Sequence, residues 1–340
     1  MTRFFLQNAQ FDKFTPNNYT LEWAEKNNQL KNVDRWLLSK LQNKIETYTL
    51  KLDRCEFNSA VAILEVFVIE TLSRLYVPMI RKELWTDDPE THNRRQTIYA
   101  ILYHVLKTLS LLFNPITPFF SENLHQKVFH SLDSDLSESI NFSPWPKSNH
   151  KMRNKILEEE FDILFNSVSL INAARQKAKI KRRWPLESAI IVTNPKKIDA
   201  LKNHELLFLE LINIKSIKYS KETPEYVNTD NWISAIEDEI SVFIKTKRDD
   251  TLLGEGLMRD LARRVQSLRK NMGFVPTEFL SSVHIAELNA DNRKILLPFL
   301  DKMANLVRAR KIYLHNIRTE IDVNWNEIKL DGRKIFIQIH

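Results

Sequence analysis

The chain has 340 residues, of which 43% are hydrophobic and 27% are charged, as in an ordinary globular protein. It contains only four glycines, which leaves little material for phosphate-cradling loops or crowded β architecture and favours a mostly helical chain. Its single cysteine, Cys55, excludes an internal disulfide and a cysteine-based zinc site. We therefore expect a reducing, cytoplasmic location.

The net charge of +7 is unevenly placed. Residues 1–150 carry 17 Lys or Arg against 17 Asp or Glu, whereas residues 151–340 carry 33 against 26. This asymmetry indicates a polyanionic partner for the second part, although a basic protein without such a partner would show it too. No apolar run approaches the ~18 residues that span a bilayer, and the start lacks a signal-peptide core.

Residues 31–185 are predicted to form a helical bundle. After an irregular lead-in to about residue 30, apolar residues recur at helical spacing in five stretches. These begin near Asn32, Asn58, Ile98, Pro118 and residue 150, and the last reaches about residue 179. Pro78 should kink or break the second helix, whereas Pro118 can occupy the first turn of the fourth. Five helices with short connections predict an antiparallel bundle.

Beyond residue 185 the pattern changes to strands alternating with helices. "SAIIVT", "SIKYS", "ISVFIKT" and "SSVHIAEL" indicate strands, and a turn-linked pair of strands ends at "RKIFIQIH". Helices are indicated by "PKKIDALKNHELLFLELI", "GEGLMRDLARRVQSLRKNMG" and "NRKILLPFLDKMANLVRAR". The predicted fold is therefore mainly α, a helix bundle followed by a small α+β domain. No internal repeat is visible in the sequence.

The stretch "RQKAKIKRRWPL" concentrates six cations at the end of the fifth predicted helix. Some of them could simply favour the negative end of the helix dipole, and a nuclear-localisation signal is a further alternative. A nucleic-acid contact explains the whole group, because each neutralised phosphate releases counterions. We expect phosphate contacts from Arg175, Lys177, Lys179, Lys181 and Arg182. Arg183 and Trp184 should lie nearest to unstacked bases.

The helix at 254–273 supports the same hypothesis. A buried stripe is predicted at Leu257, Leu261, Val265, Leu268 and Met272. Cations line another face, with Arg263, Arg264 and Lys270 as a second predicted RNA contact, Arg259 on that face and Arg269 at its margin. The alternative is a solvated helix face on which Glu255 and Asp260 are partial partners. For Trp36, Trp85 and Trp145 we expect core packing rather than base stacking.

Catalytic motifs are not found. The sequence has no glycine-rich nucleotide loop, no His pair at metal-ligand spacing and no His near Cys55, which is predicted to be a packed thiol. Asp87–Asp88 and Glu158–Glu160 are predicted to be acidic surface runs. On these residues alone, the chain is predicted to be a binding module.

Several of these motifs resemble a known family. "NVDRWLLSKLQ", "LSRLYVPMIRKELW" and "LFNPITPFFSENLHQKV" with "SPWP" resemble the anticodon-binding bundle of class I aminoacyl-tRNA synthetases for isoleucine, valine and leucine. "ARQKAKIKRRWPL" and "GEGLMRDLARRVQSLRKNMGF" resemble isoleucyl-tRNA synthetases of the archaeal and eukaryotic type. The resemblance implies a connection from a catalytic domain at 1–30, the anticodon-binding bundle at 31–185 and a C-terminal α+β extension at 186–340.

The family's adenylation signatures and its editing domain do not occur in this sequence. The resemblance therefore implies the C-terminal portion of the enzyme, from a truncated or split reading frame and inactive alone. Its expected partners are isoleucine-accepting tRNA and the missing catalytic portion, with no membrane. No cofactor is expected in this chain, whereas the full-length enzyme would use ATP and magnesium. Two alternatives remain: a free-standing helical tRNA-binding or synthetase-interacting protein, and an intact enzyme with an unrecognised active site.

Overall fold

A computed structural model describes residues 1–84, 89–227, 231–275, 278–318, 325–330 and 332–340. These residues form two compact units, Met1–Asp162 and Ile163–His340. Helices make up the described part of the first unit, and the second combines helices with two four-stranded sheets. The predicted fold class is confirmed. The predicted domain limits at residues 30 and 185 do not coincide with the unit boundary and stay a prediction.

The helices of the first unit include both predicted and unexpected elements. They are α1 (Thr2–Phe11), α2 (Leu21–Lys26), α3 (Asn32–Asp53), α4 (Phe57–Val66), α5 (Val77–Ile80), α6 (His92–Phe113) and α7 (Pro118–Leu124), with α8 (Lys155–Lys177) running on into the second unit. The lead-in predicted to be irregular holds α1 and α2. Each is too short for sequence periodicity alone to identify it, and tertiary contacts stabilise α1: the Asp12 carboxylate after it accepts hydrogen bonds from Arg95 and Tyr99 of α6.

Pro78 does not break the second predicted helix. Between α4 and α5 the chain continues as a π-helix, Phe67–Tyr76. Its wider turns carry hydrogen bonds to the carbonyl five residues earlier, as from the Val77 N–H to Leu72. Pro78 then lies in the first turn of α5, where the proline ring is tolerated.

A buried ion network stabilises the first unit. The Asp34 carboxylate, fully buried, pairs with the Arg94 guanidinium at 2.5 Å and accepts a hydrogen bond from the Tyr76 hydroxyl at 2.8 Å. Glu83 pairs with Arg94 from its other side at 2.8 Å. Removing one partner of such a network would leave an uncompensated buried charge.

The tryptophans and the cysteine give mixed outcomes. Trp36 is buried and its ring stacks on Phe161 at 5.2 Å, which confirms core packing. Trp145 is 36% exposed and packs at the surface, with its Nε1 donating to Thr49. Trp85, Asp87 and Asp88 lie outside the described residues. Cys55 is exposed, so the prediction of a packed thiol was wrong. It lies just after α3, where its left-handed backbone (φ 58°) terminates the helix.

The second unit contains two mixed sheets. Its strands are β1 (Leu186–Val192), β2 (Ile214–Ser220), β3 (Trp232–Glu237), β4 (Ile240–Lys245), β5 (Val283–Ala286), β6 (Ile312–His315), β7 (Asn326–Leu330) and β8 (Arg333–Ile339). Its helices after α8 are α9 (Pro195–Asn203), α10 (Glu205–Ile212), α11 (Asp250–Asn271), α12 (Ala290–Leu296) and α13 (Leu300–Val307). β3 and β6, which lie at the edges of their sheets, were not predicted from the sequence.

The two sheets have the same topology. Their strand orders are β2-β1-β4-β3 and β6-β5-β8-β7, with one parallel pair (β1 with β2, β5 with β6) and two antiparallel pairs in each. In each, a long helix leads into the first strand and two short helices connect the parallel pair. We call residues 163–245 the first module and residues 250–340 the second module. The repeat is one of architecture, which the sequence does not reveal.

A matched arginine strengthens this correspondence. Arg175 lies two residues before the end of α8, and its guanidinium donates to the carbonyl of Ile212, the last residue of α10. Arg269 lies two residues before the end of α11 and donates to the carbonyl of Val307, the last residue of α13. Both arginines are buried. Each one therefore ties the leading helix of its module to the end of the helix that precedes the second strand.

Candidate nucleic-acid interface

The basic stretch begins where α8 ends in a tight reversal. The Ile180 N–H donates to the Arg175 carbonyl at 2.9 Å and the Lys179 N–H donates to Gln176 at 3.0 Å, while Lys179 has a φ of 54°. This is the Schellman pattern of helix termination, with lysine at the position that usually carries glycine. The cations after Lys179 therefore leave the helix axis and run back towards α11.

Arg175 holds the basic loop in place, and its predicted phosphate contact stays a prediction that its burial does not favour. It is 1% exposed, and its guanidinium donates to the carbonyls of Trp184 at 2.8 Å, Ile212 at 2.8 Å and Asn213 at 3.0 Å. Burial, together with nearby arginines, lowers the pKa of Arg175 to about 10. Because these carbonyls occupy the guanidinium, Arg175 shapes the basic loop and is not available to a ligand in this conformation.

Asp260 of α11 organises the end of the basic loop. Its carboxylate is 1% exposed and lies 2.7 Å from Arg183 Nη1 and 3.3 Å from Lys181 Nζ. It also accepts a hydrogen bond from Trp184 Nε1 at 3.1 Å. Two of the predicted RNA-binding cations are therefore positioned by one buried acid, which partly neutralises them.

Trp184 is half-buried between two neighbours. A Cβ at Gly256 would lie 2.5 Å from the indole ring, so the absence of a side chain on α11 is what lets the ring approach. The Arg248 guanidinium lies 4.9 Å from the ring centroid, within cation–π range. A base could stack on this ring only by displacing these contacts. The geometry thus makes Trp184 a positioning residue, and the predicted role near unstacked bases stays a prediction that the geometry does not favour.

Four predicted cations come together around one cavity. Lys181, Arg183, Arg263 and Arg264 line a cavity of about 360 Å³ with Asp260 in its wall. A second cavity of about 260 Å³ shares Lys181 and is lined by Lys179, Trp184 and Arg248. We call the cations of both cavities the basic cleft: Lys179, Lys181, Arg183, Arg248, Arg263 and Arg264. Among the described residues, Arg263 and Arg264 form no ion pair.

Arg248 was missed by the sequence analysis. It lies in the short connection "TKRD" between β4 and α11, outside the two basic stretches. The available signal was a cation directly before an acid-capped helix start, where Asp249 accepts from the Leu252 N–H at 2.8 Å. Its proximity to Trp184 depends on tertiary packing that the sequence pattern does not encode.

The remaining predicted residues lie outside both cavities. Lys177 is exposed and its Nζ donates to the Ser234 carbonyl at 3.1 Å. Arg182 is exposed, with its carbonyl accepting from Asn213 Nδ2 at 3.0 Å. Lys270 is exposed near the end of α11. These three extend the positive surface around the cleft without entering it.

The other acid of α11 is buried too, and it pairs with one cation of the predicted basic face. Glu255 is 4% exposed and pairs with Lys215 at 2.6 Å and with Arg259. Burial raises the pKa of Glu255, but the hydrogen bond from Lys215 and the charge of Arg259 outweigh it, so the pKa is lowered overall. The predicted apolar stripe holds at Leu257 but not at Met272, which is 54% exposed.

No helix among the described residues is long and apolar enough to cross a membrane. The same residues contain no group of three or more His, Cys, Asp or Glu side chains arranged to hold a metal ion.

Comparisons with known proteins find similarity to tRNA ligases. Residues 34–191 match the family described as the anticodon-binding domain of tRNA ligase. The chain is 30% identical to isoleucine–tRNA ligase of Pyrobaculum aerophilum over 95% of its own length and 31% of that protein. Over 94% of its length it is 26% identical to isoleucine–tRNA ligase of Pyrococcus furiosus, covering 34% of it. It is 28% identical to the Dehalococcoides mccartyi protein of the same name, with 85% of this chain and 28% of that protein covered. The chain thus spans about a third of the length of these curated relatives.

Proposed function

Because the chain is homologous to the isoleucine–tRNA ligases and carries the anticodon-binding domain of tRNA ligases, we propose that it binds the anticodon stem-loop of an isoleucine-accepting tRNA. The observation that carries this proposal is the basic cleft. Lys181 and Arg183 come from the loop after α8, and Arg263 and Arg264 come from α11, yet all four line one cavity. Cations that converge from separate elements suit a phosphate backbone, which presents charges along a curved path.

The residues divide into two roles. Arg263, Arg264 and Lys179, with exposed Lys177, Arg182 and Lys270 around them, contact phosphates and set the position of the RNA. Arg183 is half-buried beside Asp260, so its guanidinium is pre-oriented and can read a base edge or a phosphate with defined geometry. Trp184 and Arg175 hold the loop that presents these groups.

The wider activity of the relatives enters as part of the same proposal. In it, a separate portion of the ligase attaches isoleucine to tRNA with ATP and magnesium, while this chain supplies tRNA binding and is inactive alone. That catalytic portion is a proposed partner, and the proposed location is the cytoplasm. We assign no step of ATP or magnesium chemistry to the described residues.

The test is tRNA binding by the full chain as a function of salt. The double variant Arg263→Gln/Arg264→Gln should weaken binding and flatten the plot of log affinity against log salt by about 0.7–0.9 per lost phosphate contact. Lys294→Gln, an exposed cation on α12 outside the cleft, is the matched control and should bind as the parent does. Equal affinity of the double variant and the control at every salt concentration would refute the cleft as the interface.

Two further measurements separate roles and alternatives. Lys179→Ala should lower the affinity for isoleucine-accepting and other tRNAs alike. Trp184→Ala should also reduce the preference for isoleucine-accepting tRNA if the loop that Trp184 positions touches bases. A chain that binds a synthetase without RNA would show no salt-dependent tRNA binding. ATP–pyrophosphate exchange by the purified chain would reveal an unrecognised catalytic site.

A further inference from the structure

The helical first unit contains a cavity that the tRNA-binding proposal leaves unused. It has a volume of about 450 Å³, within the range of small-molecule sites, and lies between residues 16–22, α3, α6 and residues 146–152. Its apolar wall includes Ile45, and the rings of Tyr19 and Tyr103 also line it. We call it the bundle pocket. An apolar wall with aromatic rings suits a flat, unsaturated group.

One polar group in the bundle pocket lacks a partner. Nε2 of His104 is buried and makes no hydrogen bond to any atom in the described part of the chain. Burial lowers the pKa of His104, so the imidazole is neutral near pH 7 and offers Nε2 as a single donor or acceptor. A buried polar atom without a partner costs free energy, and a ligand that bonds to it would recover that cost.

The charges around the pocket favour an anion with a polar edge. Lys107 and Lys147 both line it. Lys107 is half-buried, and its Nζ lies 5.4 Å from the centroid of the Tyr103 ring. Glu22 is the only carboxylate among the lining residues, and its pKa is lowered by its own backbone N–H and the Thr20 hydroxyl, so it remains ionised as an acceptor.

We propose that the bundle pocket binds one nucleotide, with the base against Tyr103 and the apolar wall, its polar edge on His104 and Glu22, and the phosphate on Lys107 and Lys147. The nucleotide is either free or a single unstacked nucleotide of a bound RNA, and the second source rests on the proposed tRNA-binding function. The pocket combines the three features that a nucleotide needs: an aromatic wall, an unpaired hydrogen-bonding atom and excess positive charge.

Titration calorimetry on the full chain with each of the four nucleoside 5′-monophosphates, and with inorganic phosphate, tests the site. At least one nucleotide should bind with a Kd of about 1 mM or lower, and at least about tenfold more tightly than phosphate. Lys147→Met and His104→Gln should each lower the affinity for that nucleotide about tenfold. Lys151→Met, which changes an exposed neighbour outside the pocket, should leave the affinity unchanged. Lys147 is exposed, so its variant should keep the fold even if His104→Gln does not.

An anticodon stem-loop hairpin separates the two sources. If the nucleotide belongs to bound RNA, an abasic substitution at one loop position should weaken hairpin binding by the parent chain. The same substitution should not weaken hairpin binding by the Lys147→Met variant. If Lys147→Met has a lower affinity for the free nucleotide but binds the hairpin as the parent does, the ligand is a free nucleotide. The proposal is overturned if no nucleotide binds more tightly than phosphate, or if Lys147→Met and Lys151→Met behave alike with every ligand. Weak hairpin binding by Arg263→Gln/Arg264→Gln would then still support the basic cleft.

Discussion

Replacing Asp260 with asparagine should change stability and RNA affinity in opposite directions. The substitution keeps the shape and the acceptor for Trp184 Nε1 but removes the charge that pairs with Lys181 and Arg183. The Asp260 side chain is 2% exposed, whereas those of Lys181 and Arg183 are 49% and 32% exposed, so both cations can regain water. The expected loss is therefore intermediate between those of exposed and buried ion pairs, about 2 kcal/mol in the free energy of unfolding.

The same change adds one uncompensated positive charge to the basic cleft. One extra neutralised phosphate steepens the salt dependence by about 0.7–0.9, so the ratio of variant to parent affinity should grow about 2.6- to 3.5-fold when salt is lowered fourfold. Urea unfolding followed by circular dichroism gives the first quantity, and filter binding of tRNA at four salt concentrations gives the second. Asp291→Asn, an exposed acid on α12, controls for net charge alone.

A folded Asp260→Asn protein that binds tRNA more weakly than its parent would refute this reasoning. It would mean that Asp260 contributes by fixing the directions of two cations and that its opposing charge matters little. Equal gains from Asp260→Asn and Asp291→Asn would instead show that net charge, and not the cleft, sets the affinity.

Three further outcomes follow from other parts of the chain. Lys179→Gly should stabilise the fold by roughly 1 kcal/mol in urea unfolding, because glycine adopts the left-handed backbone without strain, whereas Lys177→Gly inside α8 should destabilise it. Asp34→Ala should cost about 3–5 kcal/mol, since Arg94 is left buried without its main partner; a loss below 1 kcal/mol would contradict the network. Burial lowers the pKa of His104 below its unfolded value of 6.5, so its contribution to stability is present above that pH and declines as the pH falls. The parent should therefore lose more unfolding free energy than His104→Gln between pH 7 and pH 5, and parallel pH profiles would contradict this.

Sequence periodicity predicts the long helices, but it does not predict elements whose stability depends on tertiary contacts. α3, α6, α8 and α11 carry apolar residues at helical spacing over many turns, so their positions follow from the sequence. α1 depends on the bond between Asp12 and Arg95, which are 83 residues apart, and no local pattern reveals it.

The sequence pattern also does not distinguish buried cations from exposed ones. Arg175 and Lys177 are two positions apart in one basic run, yet one is buried and the other is exposed. The difference arises because the carbonyls of Ile212 and Asn213, contributed by a later turn, meet the Arg175 guanidinium. Composition could therefore identify a basic region, but it could not tell which charges are available for binding.

The two-fold repetition of architecture in residues 163–340 explains why a positively lined groove exists at all. One wall is the loop between the leading helix and the first strand of the first module, and the opposite wall is the leading helix of the second module. Gly256, which has no side chain, lets the two walls meet. One module alone would expose its wall to water, and no groove would form. Ligand binding in the basic cleft therefore requires both modules. Cleaving the chain near residue 247 should abolish this binding even if both halves keep their folds.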